Sequence, residues 1–247
     1  MPIFGPLFGP LKENMMKYLI CILLLLTGLR AQAQDMKSLF VNLPDSLSLL
    51  LTKVNRADFG DFLANGMKAE VKNRFGQTSE MLRLTDDYLL LQESEVSTVE
   101  MKLLPVNDSV KVICTVHTCL GPAADSHVAF YSTRWERLPA DHYLRLPAEE
   151  DFYLNTLADS DSLQELRLQA DLYLKRASLA DSTATLRFSY TTPDYLNKET
   201  AQALRRYLKK DPLRYDWKDG HFVPTLTSEL KPVTADEWYP RAIRQHQ

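Results

Sequence analysis

The chain is poor in glycine, with eight in 247 residues, and poor in cysteine, with three. So few glycines leave little room for the backbone cradles that hold phosphates, and neither a Gly-x-Gly-x-x-Gly run nor a phosphate loop occurs. The Gly-x-Ser-x-Gly elbow that seats many hydrolytic serines is missing as well. Zinc sites want clustered His and Cys. The nearest approach is Cys114, His117 and Cys119, where strand alternation sends Cys114 and His117 to opposite faces. No metal or cofactor is expected. Positive charge is not in excess either: 29 Lys and Arg stand against 32 Asp and Glu, a formal charge of −3. That balance argues against nucleic acid and against an anionic membrane surface as partners. Beyond Ala33 no apolar run approaches the ~20 residues needed to cross a bilayer, so no transmembrane segment is expected after that point.

What the chain does have is a leader. Met15-Met16-Lys17 precedes an apolar run from Tyr18 to Leu29, followed by Ala31-Gln32-Ala33. A positive charge, an apolar centre and two small residues are the parts of a cleavable export signal. The run has 12 residues and is closed by Arg30, too short for a membrane anchor. Cleavage after Ala33 makes Gln34 the first mature residue. Cys21 lies within the run, but Ile20 stands where a lipoprotein signal needs a small residue, so lipid anchoring is rejected. Met1 to Asn14, with its repeated Phe-Gly-Pro, does not suit the head of such a signal, and a start at Met15 or Met16 is the simpler account. Loss of residues 1–33 removes Lys12, Lys17, Arg30 and Glu13, which takes the formal charge from −3 to −5. The expected compartment is the periplasm or the exterior, where disulfides are permitted. On one straight strand Cys114 and Cys119 stand roughly 16 Å apart, against the ~7 Å that bridging allows. They can pair if the chain turns at Thr118-Cys119; otherwise Cys114 is a buried thiol and Cys119 a thiol at a turn.

The mature chain reads as strands grouped in hairpins, with helices between them. Val110, Val112, Cys114 and Val116 alternate with polar residues over 109–118, the period of a sheet with one buried face. Val99, Met101 and Leu103 alternate before it, and Pro105-Val106-Asn107-Asp108 supplies the turn. Residues 80–84 and 87–92 form a second hairpin, and 127–135 a further strand. Thr183 to Tyr190 repeats the pattern after a turn at Leu179-Ala180-Asp181-Ser182. Residues 166–174 alternate like a strand, while Leu163, Leu166 and Ala170 also fit a helix. Asp108-Ser109 and Asp181-Ser182 hold matching places, compatible with an internal repeat. Helices are expected at 47–54, from an Asn55 cap to Asn65-Gly66, after Pro147, and over 195–210. Leu213, Tyr215 and Trp217 then mark a strand, with Asp219-Gly220 as a tight turn. A leader of residues 1–33, an α+β domain over 34–223 (in two halves, 34–145 and 146–223, if the repeat is real) and an irregular tail at 224–247 complete the organisation.

Chemistry-bearing groups read mostly as structural. Asp58 with Asp61, and Glu149 with Asp151, suit helix N-terminal turns, where carboxylates offset the dipole. Arg205, Arg206, Lys209 and Lys210 suit the last turns of a helix in the same way, and His127 and Asp141-His142 are isolated. Tyr215, Trp217 and Phe222 fit core packing better than an aromatic platform. Long runs, among them "DMKSLFVNLPDSL", "LLTKVNRADFGDFL", "MKAEVKNRFG", "EMKLLPVNDSVKVICTV" and "TTPDYL", resemble an uncharacterised family of exported proteins from Bacteroidales, a domain of unknown function. The resemblance extends from about Asp35 to Phe222 and implies export from a Gram-negative anaerobe, but it supplies no activity and no functional residues. The expectation is an α+β protein, an antiparallel sheet with three or four packed helices. In function it is a non-catalytic binder of a ligand or an envelope partner; the alternative is a hydrolase of envelope or dietary polymers.

Overall fold

In the computed structural model, which describes residues 35–154 and 161–225, each hairpin follows the last along the chain. Strands β1 (Glu70–Lys72), β2 (Thr78–Leu84), β3 (Tyr88–Ser94), β4 (Ser97–Pro105), β5 (Lys111–Cys119), β6 (Asp125–Ser132) and β7 (Arg137–Leu138) form one antiparallel sheet in sequence order. Strands β8 (Lys175–Leu179), β9 (Thr185–Tyr190), β10 (Leu213–Lys218) and β11 (His221–Thr225) form a second antiparallel sheet. Among the described residues four α-helices accompany them: α1 (Met36–Val41), α2 (Lys53–Ala64), α3 (Asp161–Gln169) and α4 (Lys198–Arg205). The α+β expectation holds, and the described residues belong to one compact unit beginning at Asp35.

The seven-stranded sheet is covered on both faces. One face packs Leu104, Val112, Cys114, Val116 and Phe130 against Ala177, Leu186, Phe188 and Tyr215 of the four-stranded sheet. The other packs Val99, Met101, Ile113 and Tyr131 against Met36, Phe40 and Phe59 of α1 and α2. This corrects the expectation of one buried face for residues 109–118. Ile113 is fully buried and Thr115 nearly so, because α1 and α2 shield the face that alternation leaves to solvent. The strand itself starts at Lys111, since the Asn107 side chain accepts from the Ser109 and Val110 amides and holds them in the turn. The 4–5 and 2–3 hairpins stand where expected, as does the 10–11 hairpin, whose turn residues Asp219 and Gly220 both have positive φ. Pro224, expected in the tail, lies on β11 opposite Tyr215.

Other boundaries move for identifiable reasons. Residues 166–169 belong to helix α3, which buries Leu163 and leaves Leu168 82% exposed, where a strand reading puts Leu168 on the apolar face. Residues 47–51 are not helical. The buried Arg56 guanidinium donates to the Leu51 carbonyl at 2.9 Å and the Leu43 carbonyl at 2.6 Å, fixing this stretch as a loop. Thr52, not Asn55, caps α2; Asn55 is its partner three residues on, and the two side chains form a capping box. Asn197 caps α4, which ends at Arg205, so 195–210 is helical only in its middle. Strand β6 ends at Ser132, and Trp135 occupies a positive-φ turn with its indole donating to the Leu39 carbonyl at 3.1 Å. Among the described residues no helix is long and apolar enough to cross a membrane.

Candidate functional site

The expected site residues disperse over the fold. Cys114 and Cys119 are both free and lie on the same strand, Cys114 buried in the layer between the sheets and Cys119 exposed at the strand's end. The strand runs on to Cys119 without the turn that pairing needs, since Cys114 and Cys119 face Lys102 and Ser97 of β4 in unbroken register. Burial pushes the Cys114 thiol up. His117 points to the other face, opposite His127, and burial together with that neighbour holds its imidazole below the usual range. Among the described residues no group of three His, Cys, Asp or Glu side chains is placed to hold a metal ion.

The carboxylates are likewise engaged locally. Asp58 and Asp61 sit in the middle and third turn of α2, not its first turn, and Asp61 pairs with Lys37 at 3.5 Å. The Asp151 carboxylate accepts from the Ala148 amide at 2.8 Å in the 3-10 turn Glu149–Phe152. Glu149 accepts from the Tyr153 and Tyr190 hydroxyls at 2.9 and 3.1 Å and from Arg167 at 3.3 Å. Arg205 pairs with Asp194 at 2.6 Å. Trp217 stacks with Tyr143 and Phe130 and meets Phe222 edge-on, so it and Phe222 serve packing. Asp141 and His142 lie exposed in the 3-10 turn Ala140–His142.

One cleft of about 360 Å³ gathers groups that no sequence spacing connects. Its cations are Arg145, from the loop after the Ala140–His142 turn, Lys209, just past α4, and Arg214 on β10. Leu146, Leu213 and Pro224 give it apolar wall, and Tyr215 lies between. Strand β10 places Arg214 and Tyr215 at one end of the smaller sheet. Arg214 is held from behind. Its Nε donates to Asp216 at 2.8 Å, and the same carboxylate accepts from the Thr185 and Thr225 hydroxyls, each at 2.8 Å. Burial works against ionisation of Asp216, yet these three donors keep its carboxyl below the usual range. Lys209 donates from Nζ to the Asp151 carbonyl at 2.7 Å. Burial pushes the Tyr215 hydroxyl up to about 12, with Asp151 adding to the shift and Arg145 opposing it. The hydroxyl therefore stays protonated and able to donate.

The carboxyl group most displaced from ordinary behaviour is elsewhere. Glu100 on β4 is 5% exposed between the sheets, and its Oε2 accepts from the Leu179 amide at 2.8 Å and the Tyr88 hydroxyl at 3.1 Å. Burial pushes it up to about 7 against those hydrogen bonds and nearby Arg176. It lines neither this cleft nor the one between α3 and α4. Among the described residues no histidine forms an ion pair with a carboxylate. Arg145, Arg214 and Glu100 were not singled out in the sequence, where each stands as one polar residue in an alternating stretch.

Comparison with known proteins gives kinship without activity. The model of a family described as "Protein of unknown function (DUF3256)" matches residues 28–222. This agrees with the resemblance carried by residues 35–222. No curated protein matches the chain. A solved domain of an uncharacterized protein from Porphyromonas gingivalis W83 superposes with a TM-score of 0.69 at 29% identity, over 77% of this chain and 98% of that one.

Proposed function

Because the chain belongs to the DUF3256 family, whose description assigns no activity, we propose from the geometry that it is a non-catalytic, exported protein that binds a ligand or partner at the cell envelope. The observation that carries this reading is the cleft beside Tyr215, where three cations, an apolar wall and a protonated phenol suit recognition of a ligand. Glycoside hydrolysis, for comparison, needs two carboxyl groups facing each other across a cleft, about 5–10 Å apart. This cleft has one, Asp151, and its carboxylate is turned onto the Ala148 amide. Export rests on the leader from Lys17 to Ala33.

Two measurements test the two parts. Calorimetry against soluble fragments of envelope and dietary polymers is expected to give saturable binding, with no release of reducing ends or amines. Turnover that disappears in Asp151→Asn would replace binding by hydrolysis. For export, the mass of the protein recovered outside the cytoplasm is expected to begin at Gln34; an intact leader on that material contradicts cleavage.

A further inference from the structure

We propose that the Tyr215 cleft takes a small oxyanion, a carboxylate or a phosphate ester, carried on a compact apolar body. The proposal deepens the binding reading and rests on it.

The cations are available to a ligand in different degrees, and together they define a site. Arg145 is exposed and makes no hydrogen bond or ion pair among the described residues. Lys209 has three donors and commits one to the Asp151 carbonyl. Asp216 is the only acceptor bonded to the Arg214 side chain among the described residues, and it is bonded to Nε. The terminal nitrogens, the pair that matches an oxyanion two-to-two, make no hydrogen bond among the described residues. Two threonine hydroxyls lock Asp216, so Arg214 is held in place before anything binds, and little rotamer freedom remains to be lost.

The surrounding charge supports the same sign. The protein as a whole is acidic, at −3, so a concentration of cations here is local and does not follow from bulk composition. Among the described residues the one lining carboxylate, Asp151, accepts from the Ala148 amide and stands against three lining cations. Size sets the rest. About 360 Å³ lies at the lower end of the ~300–1,000 Å³ of small-molecule sites, which suits a single ring, free or at the end of a short fragment. Leu146, Leu213 and Pro224 give that ring an apolar surface to meet.

The test titrates the full chain with phenyl phosphate, benzoate, phenol and inorganic phosphate, following backbone amide signals by NMR and affinity by calorimetry. Phenyl phosphate and benzoate are expected to move the Tyr215 and Thr225 amides, and their relative affinities tell a phosphate ester from a carboxylate. Arg145→Ala and Lys209→Ala should each weaken the better anion by about tenfold. Arg134→Ala, on an exposed turn, should change nothing. Raising salt from about 50 to about 300 mM should weaken binding as well. Both cleft residues are exposed, so an unchanged melting temperature will show that their loss leaves the fold intact. Phenol moving the same signals as strongly, or wild-type affinity in both cleft variants, overturns the oxyanion assignment but leaves a binding cleft. Inorganic phosphate binding as tightly as phenyl phosphate overturns the apolar body. No movement at the cleft with any probe overturns this proposal, and the binding reading then stands or falls on calorimetry with the envelope and dietary fragments.

Discussion

Glu100 shows what a single side chain does between two sheets. It is buried because β4 lies where both faces of the larger sheet are covered, and its oxygen is the acceptor for an amide of the smaller sheet. An unfolded glutamate titrates near 4.3; in the fold Glu100 is pushed up to about 7. Between those values the unfolded chain gives up its proton while the folded one keeps it. Stability therefore falls as pH rises through that window and levels off above it. Glu100→Gln keeps an acceptor for the Leu179 amide and the Tyr88 hydroxyl and abolishes the titration. Urea unfolding is expected to find it more stable than wild type near pH 8, by about 1–3 kcal/mol, and no different near pH 4. Glu100→Ala strands both donors and should cost about 2–4 kcal/mol near pH 4, and less near pH 8, where the wild type has itself lost stability to the titration. The cysteines give a second check at this scale. Cys119 should react with a thiol reagent in native protein, and Cys114 only after denaturation, for a total of two thiols in residues 34–247. Alternation in the sequence marks Val99, Met101 and Leu103 as inward. It says nothing of a second apolar layer awaiting Glu100 and Lys102, because that layer comes from residues some 80 positions later.

Among the elements, α2 carries the clearest local instruction and a visible flaw. Thr52 and Asn55 cap it reciprocally, and Asn65 with positive-φ Gly66 ends it. Gly60 interrupts its interior, where alanine is favoured by about 1 kcal/mol. A Cβ there would meet the far end of the Lys37 side chain, which is 45% exposed and, among the described residues, ion-paired with the exposed Asp61. That end can swing aside at little cost, because exposed ion pairs contribute about 0–1 kcal/mol. Gly60→Ala should thus stabilise by about 0.5–1 kcal/mol, read as a rise of a few degrees in melting temperature. Element type was legible wherever one period dominated, as in β4, β5, β9 and β10. It was ambiguous over residues 163–174, where leucines satisfy both periods and only the tertiary setting decides: Leu163 of α3, and Ala170 just past its end, join the core that holds Leu204 of α4. Helix ends were less legible, because Arg56 captures carbonyls of the preceding loop from within α2.

At the scale of the molecule, the smaller sheet is fastened to the larger through β8. Its amides at Lys175, Ala177 and Leu179 point away from β9 and donate to Asp125, Ser126 and Glu100 at 3.2, 2.9 and 2.8 Å. An edge that otherwise offers itself to a foreign strand is closed by side chains. Ser126→Ala should cost about 1–3 kcal/mol and speed hydrogen exchange at Ala177 while leaving Ser178, whose amide faces β9, protected. None of this was legible in the sequence, since 50 to 79 residues separate each donor from its acceptor. The same holds for the cleft, assembled from a loop, a helix end and two strands that only the closed sandwich brings together.

That closed edge also sets an order of events. Every pairing in the larger sheet joins neighbours in sequence and can form as the chain lengthens, whereas β8 has no acceptors for its outer amides until β4 and β6 exist. The amino-terminal meander is then the template and the carboxyl-terminal sheet the part that settles on it. Trp135, inside the first, should report burial in a refolding trace before Trp217, which lies on the second and donates to the Pro105 carbonyl of the first at 2.6 Å. The molecule keeps time by its own edge.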